Sequence, residues 1–461
     1  MSHRRERFPY WTTIGYGLMV VGTIGAFLLI RRYGNTLAAP QPDTSQAIPH
    51  PTNQQPDVLL SVLLALAVVI IVGRVLGKAF AYVGQPPVIG EVVAGILLGP
   101  SLLGAEVSAF ILPPNVAPIL GVVAQLGIIL YMFVVGLELN AKHLMNRLHT
   151  TVATSHTSIL VPFLLGALLS LPLYTRLSSS DVPFTSFALF MGVAISITAF
   201  PVLARILTDL RLVHTELGVI ALGCAAIDDV TAWCLLAFVS GFAKSQVSQS
   251  LWVIAGALGY ITLMFFAIRP VLKRASRRWE TESQVRGATT ILIVALLVSA
   301  LATDAIGIHA AFGAFLLGAV IPHDSAVARS FIKQFEPVIT VLFLPAFFAL
   351  TGMRTQVNLV SGLDQWLICC LIIFVATIGK FGGSLVAARL TGLRWREAAA
   401  LGTLMNTRGL MELIVLNIGL DLRVISPTLF AMMVLMALAT TMTTSPVLRL
   451  LIRERGQKQA V

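Results

Sequence analysis

Apolar runs of about 17–25 residues follow one another along almost the whole chain, separated by short polar connections. Each run is long enough to cross the hydrocarbon core of a bilayer. The runs are continuous, unlike membrane strands, which alternate over about ten residues. Backbone groups in lipid must be paired within their own segment, so the pattern predicts helices. The predicted spans are 57–80, 87–102, 117–139, 150–175, 184–208, 213–242, 250–270, 287–304, 306–322, 335–353, 364–389, 397–420 and 426–449. The chain is therefore expected to be an all-α polytopic membrane protein of about thirteen transmembrane helices. A basic tail, 451–461, follows the last span. An earlier apolar run, Ile14 to Ile30, comes after the basic start "MSHRRERF" within the segment 1–56. It reads as a signal-like segment, with "TLAAPQ" as a cleavage region, or as an extra helix; Arg31 and Arg32 just after it fit neither pattern well.

Composition agrees: 57% of residues are hydrophobic and 11% charged, against about 25% charged in soluble proteins. A net charge of +11 does not point to nucleic acid, because the Lys and Arg residues lie in short loops and not in one basic domain. The rich loops are 140–149, 205–212, 271–286, 323–334, 389–396 and the tail. The poor ones are 103–116, 176–183, 243–249 and 421–425. Rich loops recur every second time, as the positive-inside rule requires, which puts them and the C-terminus on the cytoplasmic side. The four cysteines all fall inside apolar runs and show no metal spacing.

The chain also carries a faint internal repeat. "VIGEVVAGILLGP" (88–100) is echoed by "GIHAAFGAFLLGA" (307–319), and "FVVGLELN" (133–140) by "FALTGMRT" (348–355). The copies are seven spans apart. An odd offset makes them point opposite ways through the membrane, a signature of secondary transporters whose substrate site lies near the midplane.

Against this background the charges inside spans stand out. "GCAAIDDVTAW" (223–233) places Asp228 and Asp229 side by side in an apolar run. One charge at a helix centre costs roughly 2.5–3.5 kcal/mol, and adjacent acids repel. Helical neighbours point about 100° apart, so the two face different surroundings. Lys380, in "ATIGKFGGSL", lies about nine residues from the basic end of its run, roughly 13 Å along a helix, too deep for comfortable snorkelling. Pairing it with one aspartate relieves both charges. "AISITAFPVLARIL" (194–207) sets Ser196, Thr198 and Pro201 mid-span, and proline frees a helix carbonyl. Its counterpart, "GTLMNTRGLMELIVLNIG" (402–419), is unusually polar, with Arg408 and Glu412 spaced i,i+4 as a structural pair. Two such spans suggest discontinuous helices that lend carbonyls and half-helix ends to an ion. Glu91 reads as an interfacial acid near a helix end and Glu138 as a solvated residue at a loop edge. No Walker-type loop, HExxH or GxSxG is present, so ATP does not power the protein and no hydrolase is indicated.

"ISITAFPVLARILTDLRLVHTELGVIALGCAAIDDVTAWCLLA" resembles the sodium/hydrogen exchanger domain of the cation:proton antiporter superfamily. "PPVIGEVVAGILLGPSLLG", "FVVGLELN", "GIHAAFGAFLLGAVIP" and "TRGLMELIVLNIGL" resemble it too, over roughly residues 58–450. The two aspartates with an intramembrane lysine are similar to bacterial electrogenic sodium/proton antiporters. The resemblance implies a homodimer, with a six-helix core about residues 150–242 and 364–449, the rest of 57–450 forming a dimerisation domain, and two crossed, interrupted helices. It implies that Asp229 is the main cation (Na+) and proton ligand, that Asp228 pairs with Lys380, and that Thr198, near Ser196, lies in the unwound segment beside the site. The function expected is exchange of Na+ or Li+ for H+, with no cofactor and no enzyme chemistry, in the plasma membrane or an internal energy-transducing membrane. Potassium/proton exchange is the alternative, and a cation channel using the same acids a further one. The nucleotide-binding domain of glutathione-gated potassium efflux relatives is not expected after residue 450.

Overall fold

The structure is a computed structural model that describes residues 10–37, 58–138 and 148–458, apart from 112, 114, 115, 180, 213, 214, 245, 246, 277, 278, 280, 281 and 308. The described residues form helices and connections. In chain order the helices are α1 (Tyr10–Gly34), α2 (Val58–Tyr82), α3 (Pro87–Leu98), α4 (Pro100–Ile111), α5 (Ala117–Glu138), α6 (Leu148–Leu177), α7 (Phe184–Ser196), α8 (Phe200–Asp209), α9 (Glu216–Lys244) and α10 (Val247–Leu263). There follow α11 (Arg269–Ser276), α12 (Glu282–Ile306), α13 (Ala310–Val320), α14 (Ala326–Val338), α15 (Leu344–Arg354), α16 (Gly362–Thr377), α17 (Gly383–Leu390), α18 (Trp395–Met405), α19 (Leu410–Asp421) and α20 (Pro427–Lys458). Single π-helical turns, Met264–Ile268, Ile339–Phe343 and Ile378–Gly382, join α10 to α11, α14 to α15 and α16 to α17. Among the described residues, ten helical stretches are long and apolar enough to cross a membrane, and α3, α7 and α13 are shorter apolar helices.

Every predicted span has a helical counterpart, but several differ in form. The runs 184–208 and 397–420 each divide into two half-helices, α7/α8 and α18/α19. Residues 100–111, which patterning splits between a span and a loop, form α4, with Gly104 at φ 79°. Much of the basic loop 323–334 is helical: α14 carries its charges on one side of an amphipathic helix that buries Val327, Ala328 and Phe331. The tail continues α20 to Lys458. Loop 140–149 lies mostly outside the described residues, as does the cleavage region "TLAAPQ". The run Ile14 to Ile30 is the middle of α1, which packs on α6 and α7 with Phe27 against Phe163, ring centroids 5.8 Å apart.

Two packing groups arise. In one, α2 packs on α3, α3 on α15, α5 on α13 and α13 on α12. The repeated segments trade partners there: α3 of the first copy meets α15 of the second, and α13 of the second meets α5 of the first. These crossings need glycine. A Cβ on Gly352 would fall 2.5 Å from the Ile96 nitrogen, and one on Gly318 would press into the Phe133 carbonyl. In the other group, α6 packs on α7, α9, α16 and α17, while α18 packs on α17, α9 and α20. Outward faces such as Leu59, Leu60, Leu63 and Ile71 of α2 expose apolar side chains, as a helix bundle in lipid must.

Candidate ion-binding site

The second group is built around its two broken helices. α7 ends at Ser196, and Ile197 and Ala199 take extended backbone before α8 starts at Phe200. Pro201 lies in the first turn of α8, where a missing N–H costs nothing. It therefore opens a new helix and does not kink a continuous one, as the discontinuous-helix reading of this span expects. The second break, Asn406 to Gly409, separates α18 from α19. The breaks meet: the Ala199 amide donates to the Thr407 carbonyl at 3.0 Å.

Both half-helix ends at the first break find an opposite charge. The Arg408 guanidinium donates to the carbonyls of Ala194 (3.1 Å), Ile195 (2.6 Å) and Ile197 (3.5 Å) at the C-terminal end of α7, where a cation is favoured. It also pairs with Glu412 at 3.2 Å, and both residues are fully buried. The α8 amide of Phe200 faces the Asp229 carboxylate, so the positive end of that half-helix is turned toward an acid. Thr441 of α20 stitches the second break, accepting from the Arg408 amide at 3.0 Å and donating to its carbonyl at 2.8 Å.

The two aspartates, on α9, live in different company. Asp228 is 1% exposed and saturated with donors: Ser155 (2.6 Å), Ser158 (2.7 Å), Thr198 (2.8 Å) and Lys380 Nζ (3.0 Å). Lys380 sits in the π turn between α16 and α17, a distortion frequent at functional sites. Its ammonium also donates to the Ser158 carbonyl at 3.0 Å. Asp229 is 2% exposed, and its Oδ1 has no hydrogen-bond partner. Thr198 bonds Asp228, whereas the Ser196 hydroxyl donates to the Val193 carbonyl at 2.9 Å.

Ser155 and Ser158 escape the sequence reading. Their signal is a spacing of three on α6, which sets two hydroxyls on one face.

A cavity of about 380 Å³ opens between the two groups. It is lined by Phe200, Leu410, Tyr131, Glu91, Glu138 and Glu336, among others. Glu91 is only 8% exposed, so it is a buried wall of this cavity and not the interfacial acid its position suggested. Glu138 and Glu336 adjoin the basic loops 140–149 and 323–334, so the cavity opens on the side that carries those loops, the side expected above to be cytoplasmic. At the opposite end Arg354 of α15 grips Asp421 (2.9 Å) and Asn417 (3.1 Å) of α19, and Asn417 donates to Thr351 at 2.9 Å. The groups are thus closed on one side and apart on the other.

A membrane-embedded helix bundle whose repeats trade partners and whose two interrupted helices meet beside a buried carboxylate pair has the architecture of a secondary transporter. Comparison with known proteins makes the class specific. The chain belongs to the sodium/hydrogen exchanger transmembrane family, whose model matches residues 62–450. It is 42% identical over 396 residues to the Na(+)/H(+) antiporter NhaS4 of Synechocystis sp., covering 84% of this chain and 96% of that one. It is 40% identical to cation/H(+) antiporter 18 of Arabidopsis thaliana (89% of this chain, 51% of that one). It is 32% identical to K(+)/H(+) antiporter 1 of Saccharomyces cerevisiae (84% and 46%). The chain thus spans about half the length of the plant and yeast relatives it matches. Among solved structures, the sodium proton antiporter MjNhaP1 from Methanocaldococcus jannaschii shares the fold, with a TM-score of 0.61 at 17% identity, covering 85% of this chain and 96% of that one. The chain is an integral membrane protein of this family.

Proposed function

We propose that this protein exchanges Na+ or Li+ for H+ by alternating access, with Asp229 as the carboxylate that holds either a proton or the cation. One observation carries this reading: of two adjacent buried acids, Asp228 is saturated by a lysine and three hydroxyls, while Asp229 keeps an oxygen with no partner. Proton and metal compete for the same oxygens, so coupling needs no signal over distance. Asp228 and Lys380 hold the site's shape and its resting charge, Thr198 ties Asp228 to the first break, and Arg408, Glu412 and Pro201 keep the two breaks open. Alternating access is movement of the α6–α9 and α16–α20 group against the other, with the Arg354 contacts closing the outer side. Association as a homodimer through the α2–α5 and α12–α15 group belongs to the same reading and rests on family resemblance. The name of the Synechocystis relative, a Na(+)/H(+) antiporter, supports sodium; the name of the yeast relative makes K+/H+ exchange the second reading.

The test is purified protein in liposomes under an imposed pH gradient, with Na+, Li+ and K+ offered in turn. Asp229→Asn should abolish cation-dependent proton movement while the protein remains folded; exchange persisting in that variant would refute the assignment. In the unaltered protein, competition predicts that the apparent KM for the cation rises as pH falls. The rise approaches about tenfold per pH unit once the acid is mostly protonated, since each unit is worth ~1.4 kcal/mol per proton. A KM indifferent to pH would argue against one shared carboxylate.

A further inference from the structure

Buried polar atoms are nearly always paired, and one left alone costs about 1–3 kcal/mol. Among the described residues, several buried atoms without a partner collect where the two breaks meet: Asp229 Oδ1, Asn406 Oδ1, Thr407 Oγ1, Arg408 Nε and Glu412 Oε1. The last two belong to side chains already held by their mutual pair and the α7 carbonyls. The other three have no such account. Asn406 is 5% exposed and Thr407 fully buried, so bulk water does not serve them.

The segments that carry these oxygens meet at one short strip of chain. Thr198 Oγ1 lies 2.8 Å from Asp228 Oδ2 and 3.3 Å from the Met405 carbonyl, so one hydroxyl touches the residue before Asp229 and the residue before Asn406. Ala199 is bonded to Thr407, and the Phe200 amide faces Asp229. Residues 198–200 thus connect the segments that carry the three unpartnered oxygens, α9 at Asp229 and the second break at Asn406 and Thr407.

We propose that Asn406 and Thr407 are ligands of the transported cation, contributing neutral oxygens from the second break to a shell whose charge comes from Asp229. This rests on the exchange reading above and extends it to what sets ion preference. Alkali cations are hard ions that bind several oxygens at once, and the number and field strength of those oxygens set which ion is preferred. A proton needs one carboxylate oxygen only. An amide carbonyl and a hydroxyl therefore strengthen cation binding without strengthening proton binding, and they discriminate among Na+, Li+ and K+ where the carboxylate alone discriminates little.

The experiment compares Asn406→Ala, Thr407→Val and Thr407→Ser with the unaltered full chain in liposomes. It reads the apparent KM for each of the three cations, and in parallel the cation-dependent rise in thermal stability of the detergent-solubilised protein. Asn406→Ala and Thr407→Val should raise the KM for the preferred cation about tenfold and change the ratio of KM values among the three. Thr407→Ser should restore the unaltered values. The KM of the preferred cation, extrapolated to high pH where protons do not compete, should remain raised, because the loss is in metal binding. The proposal is overturned if all three KM values stay within twofold, or if they rise by one common factor that Thr407→Ser does not rescue, the behaviour of a merely structural or water-filled site. If a variant fails to insert, Asn406→Gln is read by the same ratio of KM values. If the unaltered protein shows proton exchange with none of the cations and gains stability from none, the exchange reading falls and this assignment with it. Stabilisation without exchange, lost in Asn406→Ala, would keep the ligand assignment and sink the exchange reading alone.

Discussion

Asp228 and Lys380 are individually expensive and jointly tolerable. Removing one partner of a buried ion pair leaves the other charge alone and costs about 3–5 kcal/mol, whereas removing both is often nearly neutral. Asp228→Asn and Lys380→Met should each lower the unfolding temperature of the solubilised protein, and the double variant should recover most of the loss. If the double variant is worse than either single one, the 3.0 Å contact is not a simple pair. The charges of this site were legible in the sequence because nothing else accounts for a lysine and two acids in apolar runs. Ser155 and Ser158 were not, because a hydroxyl in a membrane helix ordinarily satisfies itself on a carbonyl one turn back, as Thr157 does on Ala153, and Ser158 itself has the Ser155 carbonyl within reach at 2.8 Å. Only the packing of α6 on α9 gives those serines an acid to bond.

At the scale of the element, the break between α7 and α8 is held open by Arg408. Its spacing from Glu412 suggested a structural pair, and the 3.2 Å contact is there. The larger part of its bonding goes to carbonyls more than two hundred positions away in sequence, which no local pattern registers. Arg408→Met would strip the end of α7 of its donors and leave Glu412 buried without a counter-charge. Loss of exchange together with a clear drop in thermal stability is expected. Arg408→Lys should keep the charge but not the forked geometry, and so recover stability better than activity. Full exchange in Arg408→Met would show that the break does not depend on its cap.

For the whole molecule, the asymmetry between the closed outer end and the open cavity is what alternating access requires. The outer contacts must also break on every cycle, so they should be weak. Arg354 and Asp421 are 35% and 50% exposed, and ion pairs of that kind contribute about 0–1 kcal/mol. Arg354→Ala should therefore shift the population toward the outward-facing form by no more than about fivefold. This would be seen as a lower half-maximal cation concentration on the outer face. An unchanged value would remove Arg354 from the closing of that side.

The sequence by itself determined the medium, the helices and the charged residues of the site. A bilayer forces every span to be apolar and internally bonded, and any exception is then visible against that background. It also marked the repeats, because crossings as close as those at Gly318 and Gly352 tolerate no side chain. What tertiary structure alone decided is which of two neighbouring acids is satisfied and which is left open, which carbonyls Arg408 caps, and between which helices the cavity opens. Those outcomes depend on residues brought together from helices far apart in the chain, and helical periodicity does not encode a partner's distance.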